Sequence, residues 1–285
     1  MFFLNKYWIN RIYKKINDKG ILSIFSTAAN FLNKTLNPKH TGEFPLKYLF
    51  IKKRKLLKNF SKIYLDILDD FSIITIANYY IKSDLLNEKS VIYSFGIGEN
   101  LSFEKKLADL YNLKVYCFDP TSLAIKFMSN EIYDKNKIFF KPFGIWNKDG
   151  KVKFFIQDEQ NASNSGGSIT NLFKNSKYDL LDCYKLSTLM KQNNHSKVDI
   201  LKLDIEGAAP EVMENIIDEK IKIKQIVVEF EYSEDDNIDD DEFYAWSERL
   251  KRIIIQMRKN GYKCYNLPRY SHIPYSTIEI LFVRQ

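Results

Sequence analysis

From residue 90 onward, short apolar runs alternate with stretches of helical periodicity. Val91–Phe95 is an apolar run ending at glycines, residues 101–111 repeat their apolar positions with helical spacing, and Lys114–Phe118 is a second run closing at Asp119-Pro120. The same reading predicts a helix over 122–131 and strands over 138–140 and 151–156, joined by a turn at Lys148-Asp149-Gly150. Residues 157–168 are polar and contain Gly166-Gly167, which reads as a loop. A helix over 186–193, a buried strand over Val198–Leu203 and a helix over 210–218 with proline in its first turn come next. A strand over 225–230, a helix over 243–260 closed by Gly261, and strands over 263–267 and Thr277–Arg284 complete the pattern. Such alternation implies a mostly parallel sheet covered by helices on both faces.

The first 89 residues follow another pattern and are assigned to a basic helical N-terminal extension, with residues 90–285 as the main domain. Residues 1–18 gather Phe2, Leu4, Tyr7, Trp8 and Ile12 on one helical side, with Lys6, Arg11, Lys14 and Lys15 largely opposite. A helix packed on the protein's own core has this pattern, and so does one docked on an anionic membrane surface. The run Lys52-Lys53-Arg54-Lys55 would aid the second, so residues 1–58 are the stretch for peripheral membrane contact.

Composition sharpens this division. The chain has 285 residues, 45% of them apolar and 28% charged, which is enough to fill a core. Its net charge is +7, yet residues 1–90 hold 16 Lys and Arg against 7 acids, leaving 27 against 29 for the rest. A near-neutral main domain argues against nucleic acid as partner. Segment 231–242 holds 8 acids and no base, which would repel a phosphate backbone. Cys117, Cys183 and Cys264 match no metal spacing and read as buried, reduced thiols. The uncharged stretch 20–33 is 14 residues long, too short and polar to span a bilayer, and no secretory order precedes it. A cytoplasmic location is expected, with the inner face of a membrane as the alternative.

The candidate chemistry starts at Tyr93-Ser94-Phe95-Gly96-Ile97-Gly98-Glu99-Asn100. Glycines just past a parallel strand permit a tight turn and close approach to a ligand. Asp119 follows Gly98 by 21 residues, where doubly wound folds place an acid for ribose hydroxyls. A helix-start role beside Pro120-Thr121 is its plainer alternative. These two features alone suit NAD as well as other nucleoside cofactors.

The segment LKLDIEGAAPEVMENI, from Leu201, is more specific. With IVVEFE at 226–231, YSFGIGENLSFE at 93–104 and FDPT at 118–121, it resembles the FkbM family of S-adenosylmethionine-dependent methyltransferases. The resemblance covers residues 90–285. It implies a class I methyltransferase-like α/β fold: a doubly wound, mostly parallel seven-stranded sheet whose last strand is antiparallel. It also implies cofactor contacts at Gly96, Gly98 and Asp119, with the Phe143-Gly144 turn as a wall for adenine. Ser94 stands where many class I enzymes have an acid and Asn100 where they have glycine. Glu104 or Asp204 would then supply the missing carboxylate.

Asp204 and Glu206 emerge at the carboxyl end of a strand, where open α/β sheets bind ligands. They are expected to orient an acceptor hydroxyl or take its proton. Holding a divalent metal with Glu229 or Glu231 is the alternative, although no metal ligand set is identified. Lys202, within an apolar strand, needs an acidic partner. His272, in the SHIPYS loop, would lie at the cofactor end and could take the acceptor proton, its alternative being an exposed loop histidine. His195 should lie at the opposite end, and His40 in a polar turn. The family resemblance implies O-methylation, with a small molecule or glycan as acceptor. Protein or RNA methylation, and a non-catalytic binding module on the same fold, are the rivals.

Overall fold

The computed structural model describes residues 64–156, 167–170, 177–232, 240–267 and 277–285. The amphipathic stretch 1–18, the basic run 52–55, His40, most of the loop 157–168, most of the acidic segment and His272 lie outside them.

A hairpin precedes the alternating region. Ile73–Ile76 (β1) pairs antiparallel with Tyr79–Lys82 (β2). Ala77 and Asn78 both have positive φ, 45° and 38°, as a two-residue turn between twisted strands requires. Helical character was expected throughout 1–89, but residues 73–82 are this hairpin, and Ile76 and Ile81 are buried in the domain core. The alternation of Ile74, Ile76, Tyr79 and Ile81 around Asn78 is a period-two signal.

Val91–Phe95 (β3), Ser102–Tyr111 (α1), Lys114–Phe118 (β4), Ser122–Asn130 (α2) and Ile138–Lys141 (β5) then alternate as expected. Gly144–Ile145 (β6), Gly150–Ile156 (β7), Gly167–Ser168 (β8) and Tyr178–Tyr184 (β9) form a separate four-stranded sheet in the order β6-β9-β7-β8. Thus β5 and β7 do not pair across the turn at residues 148–150; they belong to different sheets. Strand β9 was not anticipated, because its exposed Tyr178, Asp179 and Leu180 break the alternation of apolar and polar residues.

Leu186–Gln192 (α3), Val198–Leu203 (β10), Ala209–Asp218 (α4), Ile223–Glu231 (β11), Asp240–Lys259 (α5), Tyr262–Asn266 (β12) and Thr277–Arg284 (β13) finish the fold. The seven-stranded sheet runs β12-β13-β11-β10-β3-β4-β5, with β13 antiparallel to both of its neighbours. This is the class I methyltransferase-like α/β architecture, and the order reverses between β3 and β10. In open α/β sheets a ligand binds at such a switch point, beyond the carboxyl ends of the strands.

Side-chain alternation divides the core in two. Tyr93, Phe95, Leu201 and Leu203 pack with α3, α4 and α5 on one face. Ile92 and Ile200 point to the other face, packed with α1 and the hairpin. By the same parity Ser94 and Lys202, paired in register on adjacent strands, face the hairpin side. The Gln225 side chain ties that hairpin to β11, accepting from Lys82 N at 2.8 Å and donating to Lys82 O at 3.1 Å. Among the described residues no helix is long and apolar enough to cross a membrane.

Candidate active site

The glycine turn after β3 is fixed by its neighbours on both sides. Gly96 has φ +78°, and a β-carbon there would come within 1.6 Å of the Asp204 carbonyl oxygen, so only glycine fits. Gly98 also has positive φ, 52°, but open space surrounds its missing side chain. From the β4 side, Asp119 Oδ2 accepts from Ile97 N and Gly98 N, both at 3.0 Å. From the β10 side, Lys202 Nζ donates to Gly96 O at 2.8 Å. One charged side chain thus holds the turn's amides and another its carbonyl.

Asp119 differs from its expected role in one respect. Its Oδ1 accepts from Thr121 N at 3.0 Å and Thr121 Oγ1 at 2.6 Å. With Oδ2 taken twice, the carboxylate's acceptor sites are filled by protein groups, and its first task is to shape the loop. The cap of α2 is Thr121 itself, whose Oγ1 accepts from Ala124 N. Asn100 Oδ1 accepts from Ser102 N at 3.0 Å and so serves the start of α1 where a third glycine was expected.

Ser94 and Glu104 meet beneath the turn: Ser94 Oγ donates to Glu104 Oε1 at 2.5 Å, and both residues are buried. Glu104 Oε2 finds no partner among the described residues. A helix-borne carboxylate therefore sits beside the strand position that lacks one. It lies behind the pocket surface, not on it.

The pocket, about 170 Å³, is lined by the glycine turn, Asp119, Pro120 and Thr121, Gly144, Ile145 and Phe154 of the smaller sheet, Ile169 just after it, and Asp204 to Glu206. Gly144 lines it, and a β-carbon there would press on Cys183 Sγ at 2.6 Å. Phe143 does not line it; its ring packs edge-on against Tyr184 at 5.1 Å, turned toward the α3–α5 core. Phe154, Ile145 and Ile169 supply the apolar wall instead; the strand that carries Phe154 was expected over 151–156, whereas the two-residue strand that carries Ile145 gave no signal in the sequence.

Asp204 and Glu206 both face the pocket. Asp204 Oδ2 accepts from the Tyr79 hydroxyl at 2.6 Å and lies 3.6 Å from Lys202 Nζ, which supplies that lysine's acidic partner. Glu206 adopts a left-handed backbone, φ +44°, a strained choice for a residue with a side chain. Ser168 Oγ donates to its carbonyl at 2.6 Å. Its carboxyl is hydrogen-bonded to that of Glu231. Burial, then the charges of Glu206 and Glu229, pushes the Glu231 carboxyl well above the usual range. Among the described residues no three His, Cys, Asp or Glu side chains are arranged to hold a metal ion.

His195 lies away from the pocket: Nδ1 is 2.8 Å from the Tyr93 hydroxyl and the ring packs edge-on against Tyr116. Burial, then Lys141 and Lys114, lowers its pKa. The three cysteines are free and buried, and burial pushes the Cys183 and Cys264 thiols up to about 12.

Among solved structures, the chain is similar to an rRNA methylase from Streptococcus thermophilus, at 11% identity over 70% of this chain and 90% of that one, TM-score 0.37. It is also similar to magnesium protoporphyrin IX methyltransferase from Synechocystis PCC 6803 with bound S-adenosylmethionine, at 12% identity over 99% and 98%, TM-score 0.37. A comparison with curated proteins finds no match. The methyltransferase FkbM domain model matches residues 77–264, beginning at the hairpin turn and ending in β12. That match spans about two-thirds of the chain and includes the glycine turn, Asp119 and the Asp204–Glu206 segment, and the chain belongs to the FkbM family of S-adenosylmethionine-dependent methyltransferases.

Proposed function

We propose that this methyltransferase acts on a hydroxyl oxygen of a sugar or glycan, such as a cell-surface polysaccharide or its precursor. The observation that carries the reading is the pocket's charge. Among its described lining residues Asp119, Asp204 and Glu206 are acidic and none is basic. Such a lining attracts a sulfonium and an ammonium, and would repel the diphosphate of a dinucleotide or the backbone of RNA.

The residues present fit S-adenosylmethionine. The glycine turn gives backbone access, Asp204 would hold the cationic amino-acid end, and Pro120, Ile145 and Phe154 would give an apolar wall for adenine. When bound, the cofactor supplies a methyl carbon made electrophilic by its sulfonium. Methyl transfer of this kind mainly requires alignment, which a turn pinned by Asp119 and Lys202 provides. Glu206 is assigned the acceptor's proton. Its hydrogen bond with Glu231, whose carboxyl burial pushes well above the usual range, holds the Glu206 side chain in place for that task.

The test is incubation of the full chain with methyl-labelled S-adenosylmethionine and three acceptor pools: neutral oligosaccharides, RNA and peptides. Label on oligosaccharide hydroxyls supports the reading. Label confined to RNA or peptide overturns the acceptor assignment.

A further inference from the structure

Four groups converge where the hairpin reaches the glycine turn. The Tyr79 hydroxyl donates to Asp204 Oδ2 at 2.6 Å, and Lys202 Nζ sits 4.7 Å from the centre of the Tyr79 ring. The same ammonium donates to Gly96 O at 2.8 Å and lies 3.6 Å from Asp204 Oδ2. The Tyr79 ring rests on Phe103 of α1, with centroids 4.9 Å apart. Tyrosine hydroxyl and lysine ammonium therefore share one oxygen of Asp204. No described residue donates to the other.

We infer that Tyr79 is a positioning residue: its hydroxyl, with Lys202, fixes the Asp204 carboxylate so that Oδ1 is free for the cationic end of the cofactor. The inference rests on the assignment of that end to Asp204. A carboxylate at the mouth of a pocket can turn about its own axis and present either oxygen to solvent. A donor on one oxygen removes that freedom before the ligand arrives, which lowers the cost of ordering on binding. The donor is permanent, because burial, then the charges of Asp204, Glu104 and Glu229, keeps the phenol protonated far above neutrality. The hairpin is a suitable carrier. Its turn is set by Ala77 and Asn78, and Gln225 holds its strand against β11.

Tyr79→Phe removes the hydroxyl and keeps the ring on Phe103 and Lys202. Two ligands separate positioning from structure. S-adenosylmethionine carries the charged amino-acid end, and 5′-methylthioadenosine keeps adenine and ribose but lacks it. By calorimetry, Tyr79→Phe should bind S-adenosylmethionine about tenfold or more weakly, as expected for losing a hydrogen bond to a charged group. Methylthioadenosine affinity should stay at the wild-type value. In an Asp204→Ala background Tyr79→Phe should add no further loss, because the hydroxyl acts through that carboxylate. Equal losses for both ligands, additive losses in the double variant, or unchanged S-adenosylmethionine affinity would each overturn the role. If Tyr79→Phe does not fold, the wild-type chain labelled at the tyrosine ζ-carbon reads the same contact. The Tyr79 signal should then shift with S-adenosylmethionine and stay put with methylthioadenosine, and the same shift with both ligands would overturn the role. A wild-type chain that binds neither ligand would refute the cofactor reading instead.

Discussion

Ser94 and Glu104 are a donor and an acceptor 2.5 Å apart, and neither reaches solvent. Glu104 stands in the first turn of α1 and is tied back to the strand by the Ser94 hydroxyl. Ser94→Ala would leave Glu104 Oε1 unpaired as well as Oε2. A buried acceptor stripped of its donor costs about 1–3 kcal/mol. Thermal unfolding of Ser94→Ala should show a lowered midpoint, whereas Ser94→Thr, which keeps the hydroxyl, should lose less. Equal losses in the two variants would mean the bond carries no weight.

Gly96 and Gly98 look alike in sequence and should behave differently. At Gly96 the new β-carbon would overlap the Asp204 carbonyl at 1.6 Å, and no flexible side chain is there to yield. Gly96→Ala should therefore unfold or expel the turn, and be seen as insoluble or broadly melting protein. Gly98→Ala meets no atom within 4 Å and pays only the left-handed backbone strain, about 1–2 kcal/mol. It should stay folded, and, because Gly98 lines the pocket, a loss of S-adenosylmethionine affinity larger than its loss of stability would show that the turn itself contacts the ligand. A well-folded Gly96→Ala with wild-type affinity would contradict the geometry.

Asp119 organises the turn through four hydrogen bonds, two from the amides of Ile97 and Gly98 and two from Thr121. Asp119→Ala should lower both stability and cofactor affinity. Asp119→Asn, oriented with its oxygen toward the amides, can keep those two bonds and should retain most of the stability. Paired melting and calorimetry curves check this. A variant Asp119→Ala with full stability and only reduced affinity would show that Asp119 serves the ligand alone.

The elements that carry the fold were legible because strands such as Val198–Leu203 are mostly apolar, and those at the site, Val91–Phe95, Lys114–Phe118 and Val198–Leu203, run directly into a glycine or an acid. The Asp204 and Glu206 positions were legible for the same reason, since a strand's carboxyl end announces its chemistry. Phe143 was misassigned because adjacency to Gly144 says nothing about which way a ring turns. Tyr79 was missed although Asn78 and the alternation around it mark a hairpin. Its contact spans 125 positions of chain, and such contacts follow from strand parity and sheet order, which single-chain periodicity does not supply. His272 lies outside the described residues.

Glu231 gives a pH dependence with a definite sign. Burial comes first among the causes that raise its carboxyl well above the ordinary value, followed by Glu206 and Glu229, then the bond to Glu206 and the charge of Asp204. An unfolded chain releases this proton near pH 4.3, roughly the free glutamate value. Above that pH the folded chain binds more protons than the unfolded one, so this group's contribution to stability falls as pH rises. It is fully present below the unfolded pKa and is lost progressively toward the raised folded one. Glu231→Gln abolishes the titration and keeps a donor for Glu206. Its melting temperature relative to wild type should therefore rise as pH increases above the unfolded value. A difference that stays flat over that range would mean the folded Glu231 loses its proton as readily as the unfolded one, and the Glu206–Glu231 pair would then not share a proton at neutral pH.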